Sequence, residues 1–176
     1  FKSDAPLETV VGHTADTGIQ AELAVDPSRP QAAKGTVKVD MNTVRTGIDK
    51  RDADMRSKPY LDTETEANRW VTFEVQGAEL AGPLESGRPV PAKIRGLLTV
   101  KQKPVERVVD GTVTYINLSP DQVEAQKRFG FTFDNLKVRA KLATTFSDHA
   151  MQVPQLLILK LSNDIAIETD LTFVKP

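Results

Sequence analysis

The chain has 176 residues, 39% of them hydrophobic and 27% charged, which suits one compact soluble unit and excludes a disordered or collagen-like chain. Lys and Arg number 23 against 24 Asp and Glu, so no broad positive field exists for nucleic acid. The absence of cysteine excludes a thiol nucleophile, a disulfide framework, a thiolate zinc site and an iron–sulfur cluster.

No stretch approaches the roughly 18 uninterrupted apolar residues of a membrane span, so no integral membrane role is predicted. The sequence opens at Phe1 with neither an initiator Met nor a basic-then-apolar leader, which predicts a processed or trimmed chain.

In chain order, the first strand signal is Ile19, Ala21, Leu23 and Val25 alternating with Gln20 and Glu22, ended by the turn-forming Asp26-Pro27-Ser28. Val37, Val39 and Met41 alternate with Thr36, Lys38 and Asp40, a second strand with one wet face. Asp49 to Arg56 predicts a short helix capped by Asp49, with Asp52 near the positive end of its dipole. Val71, Phe73 and Val75 predict the next strand, and the Gly- and Pro-rich segment Ala81 to Pro91 a loop between strands. Asp110-Gly111 between Val108-Val109 and Thr112-Val113 predicts a hairpin with a type I′ turn. Ser119-Pro120-Asp121-Gln122 predicts a capped helix running to Lys127 or Arg128, with Ser119 as N-cap and Gln122 reaching back.

Phe129, Phe131 and Phe133 fall at alternate positions, so on an extended segment they point to one side, as core packing or as the lining of a cavity. Leu136, Val138, Ala140 and Leu142 form another strand face. Leu156 to Leu159 is apolar on both faces, which implies that a helix or a partner subunit covers its outer side. Ser162-Asn163-Asp164 predicts a second tight hairpin before the alternation of Ile165, Ile167, Thr169, Leu171 and Phe173. Roughly eight or nine strands suit a barrel or sandwich.

Catalytic constellations are scarce. His13 and His149 are the only histidines, and neither lies in a ligand-spaced cluster. Ser147-Asp148-His149 holds three triad residue types, but adjacent residues cannot converge into a nucleophile–base–orienter chain, and a polar turn is the simpler reading. No Gly-x-Ser-x-Gly elbow and no phosphate-cradling Gly-rich loop occurs.

Gly35 to Val75 carries an ordered set of motifs: Val37-Lys38-Val39-Asp40-Met41, Thr46-Gly47, Arg51-Asp52 with Met55-Arg56-Ser57, Tyr60-Leu61-Asp62 and Val71-Thr72-Phe73. Gly96-Leu97-Leu98-Thr99-Val100 and Lys103-Pro104-Val105 follow. Together they make the chain resemble the YceI-like family of polyisoprenoid- or lipid-binding proteins, although Asp54 stands where many relatives carry His. The resemblance implies an all-β, antiparallel, elongated lipocalin-like β-barrel of about eight strands with one or two short helices, over residues 1–176. It further implies a periplasmic or secreted protein with no cofactor beyond a bound polyisoprenoid or other lipid, transient membrane contact and a homodimer as a possibility, and no nucleic-acid partner.

On this reading the apolar phase of the strands lines one continuous cavity that holds a long apolar ligand: Ile19, Leu23, Val39, Met41, Phe73, Val75, Leu98, Leu142, Leu159 and Ile167. Met55, Tyr60, Phe131 and Phe133 complete the expected ligand-binding set. Arg51 and Asp52 are expected to act structurally, as a buried pair that fixes the short helix over one end of the barrel. No catalytic or metal residue is assigned. The alternatives are a lipid-modifying enzyme, using Asp52, Asp54, Tyr60 or His149 at the cavity mouth, and a packed barrel with a structural or protein-binding role.

Overall fold

The computed structural model describes residues 1–156 and 159–175. Its strands are β1 (Lys2–Asp4), β2 (Thr9–Val11), β3 (Ile19–Ala24), β4 (Lys34–Asp40), β5 (Trp70–Leu80), β6 (Pro89–Val100), β7 (Lys103–Asn117), β8 (Asp134–Thr145), β9 (Gln155–Leu156), β10 (Leu159–Lys160) and β11 (Asp164–Val174). Three short helices interrupt them: α1 (Asp49–Arg56), α2 (Glu66–Arg69) and α3 (Pro120–Gln126). Among the described residues, nine strands form one sheet in the order β2-β1-β11-β8-β7-β6-β5-β4-β3, and β9 and β10 pair separately. Every pairing is antiparallel, so the expected all-β antiparallel fold is observed as a curled sheet.

The curl has a cause in the chain path. β2 and β3 are the two edges of the sheet, yet only residues 12–18 join them, and that length spans at most about 25 Å. The sheet therefore rolls until its edges face each other. His13 pairs with Arg45 across the gap, and Thr14 Oγ1 lies 2.7 Å from Thr43 Oγ1. No ladder joins β3 to β11 among the described residues, so a seam stays open.

Alternation sets the inner face. Along β11, Ile165, Ile167, Thr169, Leu171 and Phe173 are half-buried while their neighbours are exposed. At one end the interior is filled by Met41, Val44, Leu61, Leu98, Val100 and Met151, with Phe73 and Leu142 packed against them. Gly96 lies opposite Val75 and Arg107, and a Cβ there would meet the Phe73 ring at 2.6 Å and the Glu74 carbonyl oxygen. The missing side chain leaves room for that ring on the inner face.

The structure corrects three local expectations. Asp110-Gly111 makes no hairpin: β7 runs straight through it, with Asp110 opposite Lys93 and Lys141. The flanking Val109 and Val113 are buried on one unbroken apolar phase, which outweighs the dipeptide's turn preference. Gly111 instead allows a close approach, since a Cβ there would lie 2.8 Å from the Arg139 carbonyl oxygen. Ser162-Asn163-Asp164 closes no tight hairpin either, because β11 pairs with β8 and β1 rather than β10. Helix α1 has the expected bounds, but Ile48 is its N-cap and no side chain caps it, so Asp49 stands inside the first turn. The capping box of α3 is present, with the Ser119 amide donating to Gln122 Oε1 at 2.9 Å. Leu157 and Ile158, and the side chains of Leu156 and Leu159, lie outside the described residues, and with them the expected covered face.

Gly96→Ala is expected to destabilise the protein by about 1–3 kcal/mol by forcing Phe73 off its site. Gly82→Ala, where a Cβ meets open space, serves as control. Equal melting temperatures for the two variants would refute the packing assigned to Gly96.

Candidate functional site: an elongated apolar cavity at the seam

A cavity of about 1730 Å³ runs along the open seam. Its walls come from β3 and β4 on one side, β11 on the other, and the N-terminal strands and α1 around its rim. Its apolar lining includes Ala21, Val37, Val71, Ile165, Leu171 and Phe173. Charged lining residues form ion pairs at the rim: Arg51 with Glu8 at 2.9 Å and Lys50 with Asp54 at 3.2 Å.

Polar anchors hold the elements around this space. Asp52 is buried, and its Oδ1 accepts from the Thr46 amide at 2.9 Å and from the Thr46 hydroxyl at 2.6 Å. The Thr46 hydroxyl is the main reason that this carboxyl is held below the usual aspartate range. Arg51 does not pair with Asp52 as expected; it donates to Thr46 Oγ1 at 3.0 Å and to Glu8. The two residues share Thr46 instead, one on each side of its hydroxyl. Arg56 donates to the carbonyls of Met41 and Val44 and so ties α1 to the chain leaving β4. Asp40 accepts from Arg69 at 2.6 Å, which lowers its pKa and joins the end of β4 to the start of β5.

His149 holds a second cluster. It is fully buried on a 3₁₀ turn, with Nε2 2.8 Å from Thr144 Oγ1 and Nδ1 2.9 Å from the Lys103 carbonyl oxygen. Burial lowers its pKa, with the Arg107 guanidinium adding to the effect, against the Lys103 carbonyl and Asp148, which raise it. Arg107 donates to Thr144 at 3.0 Å and to Asp148. Ser147 bonds to Thr145 and Asn163, so Ser147-Asp148-His149 forms a structural turn rather than a relay. Phe146 and Met151, on either side of this turn, line the cavity.

The cavity brings together seven of the residues expected to contact a ligand: Ile19, Leu23, Val39, Met41, Met55, Tyr60 and Ile167. Leu98 is buried in the packed end, where Phe73 and Leu142 join it. Val75 borders a separate shallow depression with Leu23 and Gly35. Phe131 and Phe133 do not line the cavity, and Phe133 is 54% exposed. Their shared phase fails because Lys127–Phe129 is a 3₁₀ turn ending at Gly130 with φ 77°, so the segment is not extended. The side chain of Leu159 is outside the described residues. Val37, Val71, Ile165, Leu171 and Phe173 were absent from the expected set, although they share the alternating phases of their strands. Of the residues weighed for catalysis, Asp54 and Tyr60 line the cavity; Asp52 and His149 do not.

A curled antiparallel sheet around an elongated apolar cavity is the class of protein that fold and site define. The chain belongs to the YceI-like family, whose domain profile matches residues 3–173. Its fold is similar to that of the Campylobacter jejuni YceI protein, at 16% identity, 95% coverage of this chain, 85% of that chain and a TM-score of 0.71. It is also similar to Burkholderia cenocepacia BcnA, with 16% identity, 89% and 84% coverage and a TM-score of 0.63. A polyisoprenoid-binding domain from Saccharophagus degradans, implicated in plant cell wall breakdown, matches at 20% identity, 82% and 78% coverage and a TM-score of 0.52. A search of curated protein sequences finds no significant match.

Asp52→Ala is expected to cost on the order of 2 kcal/mol, because it leaves the Thr46 amide and hydroxyl without their acceptor. Unchanged denaturant stability would show that α1 is held without it.

His149 predicts an acid dependence. Its folded pKa lies below the ordinary 6.5, so the unfolded chain binds the proton more readily. The stability it contributes is complete above pH 6.5 and is lost as pH falls through the folded value. The lowered carboxyls of Asp40 and Asp52 act in the same sense, but only below their ordinary value of 3.8. His149→Gln should therefore flatten the decline of the denaturation midpoint between about pH 6.5 and 5. An undiminished slope in that variant would place the titration on another group.

Proposed function

We propose that the chain binds a long apolar ligand, of the polyisoprenoid, isoprenoid-quinone or fatty-acid and amide class, in the seam cavity, and carries or sequesters it. The observation that carries this reading is the cavity itself: about 1730 Å³, with a mostly apolar lining and the ion pairs Arg51–Glu8 and Lys50–Asp54 at its rim. Ordinary small-molecule clefts occupy roughly 300–1,000 Å³. Burial of alkyl carbon contributes about 0.8 kcal/mol per CH₂, so a long tail binds well without a buried charged anchor.

A bilayer offers the same tail a similarly apolar home, so net extraction is weak and reversible, which suits a shuttle or reservoir. Family membership and the polyisoprenoid-binding name of one structural neighbour support ligand binding over catalysis. We further propose a periplasmic or secreted location, with transient membrane contact during loading.

The test is mass spectrometry of an apolar extract of the purified protein. An intact co-purifying lipid is expected; a cleaved lipid would indicate catalysis, and none a packed or empty protein. Leu171→Glu, on the cavity wall, should abolish retention, whereas Val108→Glu, which is 60% exposed in the wild type and does not line the cavity, should leave it intact. Retention by a folded Leu171→Glu variant would sink the assignment of the cavity.

A further inference from the structure

Residues 118–133, between β7 and β8, expose aromatic rings that neither core nor cavity uses. Phe129 is 59% exposed and Phe133 54%, and the Phe129 and Phe131 ring centroids are 6.4 Å apart. The loop is held in this form by specific bonds. The α3 capping box fixes one side, and buried Asn135 fixes the other, accepting from the Thr132 amide at 3.1 Å and donating to the Thr132 carbonyl at 2.6 Å. A loop pinned by such bonds, with Phe129 against Phe131 and both Phe129 and Phe133 exposed, offers apolar surface to a partner medium.

Within residues 118–133 Asp121 and Glu124 balance Lys127 and Arg128, so the charge that bears on the medium is the local one at the rings. The Arg128 guanidinium lies 4.5 Å from the Phe129 ring centroid and has no carboxylate partner among the described residues. Of the nearby acids, Glu124 is 3.6 Å from Lys127, and Asp134 is taken up by Tyr115 and Asn117; Asp121 sits in the first turn of α3. An unpaired cation on an exposed ring fits the boundary between lipid headgroups and acyl chains. The loop also adjoins the cavity: Val174, 42% exposed, lines it and pairs with Asn135, and the Leu118 amide donates to the Phe133 carbonyl at 2.9 Å. The other apolar lip, at Leu7 and Ile48, is flanked by charges already paired: Arg51 with Glu8 and Lys50 with Asp54.

We propose that residues 118–133 dock the protein on a phospholipid bilayer with anionic headgroups. Phe129 and Phe133 enter the acyl margin, and Arg128 meets the headgroups. The docked loop brings the Val174 end of the cavity to the bilayer, where an apolar ligand passes between the two. That last role rests on the proposed ligand-binding function; docking does not.

Flotation of the ligand-free protein with vesicles tests docking alone. Vesicles of phosphatidylcholine with phosphatidylglycerol, and of phosphatidylcholine only, are compared. Wild type should bind the anionic vesicles more tightly. The double variant Phe129→Ser, Phe133→Ser should lose at least about tenfold in affinity for both. Arg128→Glu should lose about fivefold or more on anionic vesicles only. Leu7→Ser with Ile48→Ser should bind as wild type. The substituted rings are solvent-exposed, so an unchanged melting temperature verifies folding. The proposal is overturned if wild type binds neither vesicle, if the ring variant binds normally, or if the Leu7 and Ile48 variant is the one that fails. It is equally overturned if the ring substitutions abolish self-association of the protein in solution and leave vesicle binding unchanged. Vesicle binding by a protein whose extracts contain no lipid would leave docking standing without support for the carrier function.

Discussion

The link between β2 and β3 constrains everything else in this fold. Two edges of one sheet are consecutive in the chain and share a connection of residues 12–18, so a flat sheet is sterically impossible. Rolling brings the apolar phases of β3, β4 and β11 to face one another across a gap. No ladder closes that gap among the described residues, and the hydrogen bonding that would pull the edges together is confined to one end, at His13 and Arg45. A cavity follows from a sheet that is forced to curl but not to close.

Polar and apolar interactions are divided between the ends and the middle. Buried polar side chains such as Asp40, Asp52, Asn135 and His149 sit in short helices, turns and strand ends, and every buried side-chain N or O among the described residues has a partner. Directional bonds of this kind specify one arrangement, because leaving any of them unmade exposes a desolvated group. The cavity walls depend on alternation alone. Directional bonds thus fix the ends, while the middle of the interior presents a mostly apolar wall. Met41, Met55 and Met151 at one end of that interior add adaptable contact surface.

Much of this was legible in the sequence, because period two is a local signal. The five alternating residues of β11 form its half-buried side along the cavity, and the Ser119 capping box appears as its motif specifies. Parity, however, reports which side of a strand turns inward and not how far along the interior a residue lies. Leu98 and Leu171 both lie on inward phases, yet one is locked in the packed end and the other lines the cavity. Asp110-Gly111 misled because a turn preference of a dipeptide is small beside two ladders pairing the same residues. The Phe row misled for the opposite reason: alternation was assumed where Gly130 in the left-handed region had already broken the extended chain. The division of Thr46 between Arg51 and Asp52 had no sequence signal, since adjacent charges read as a pair until a third residue is seen between them.

On the proposed ligand-binding reading, the distribution of charge around the cavity bears on how ligand exchanges. A buried cation inside would anchor an anionic headgroup and make release slow, because separating a desolvated pair costs several kcal/mol. Here the charged lining residues include Arg51, Lys50, Glu8 and Asp54, paired with one another at the rim, so an entering tail breaks no buried ion pair and leaves none unmade behind it. Transfer between two apolar media of similar quality then has little net driving force, and its direction is set by the concentration of ligand on either side. For the proposed carrier the requirement is access, which the unclosed seam supplies and which a hydrogen-bonded barrel of the same sequence length would remove.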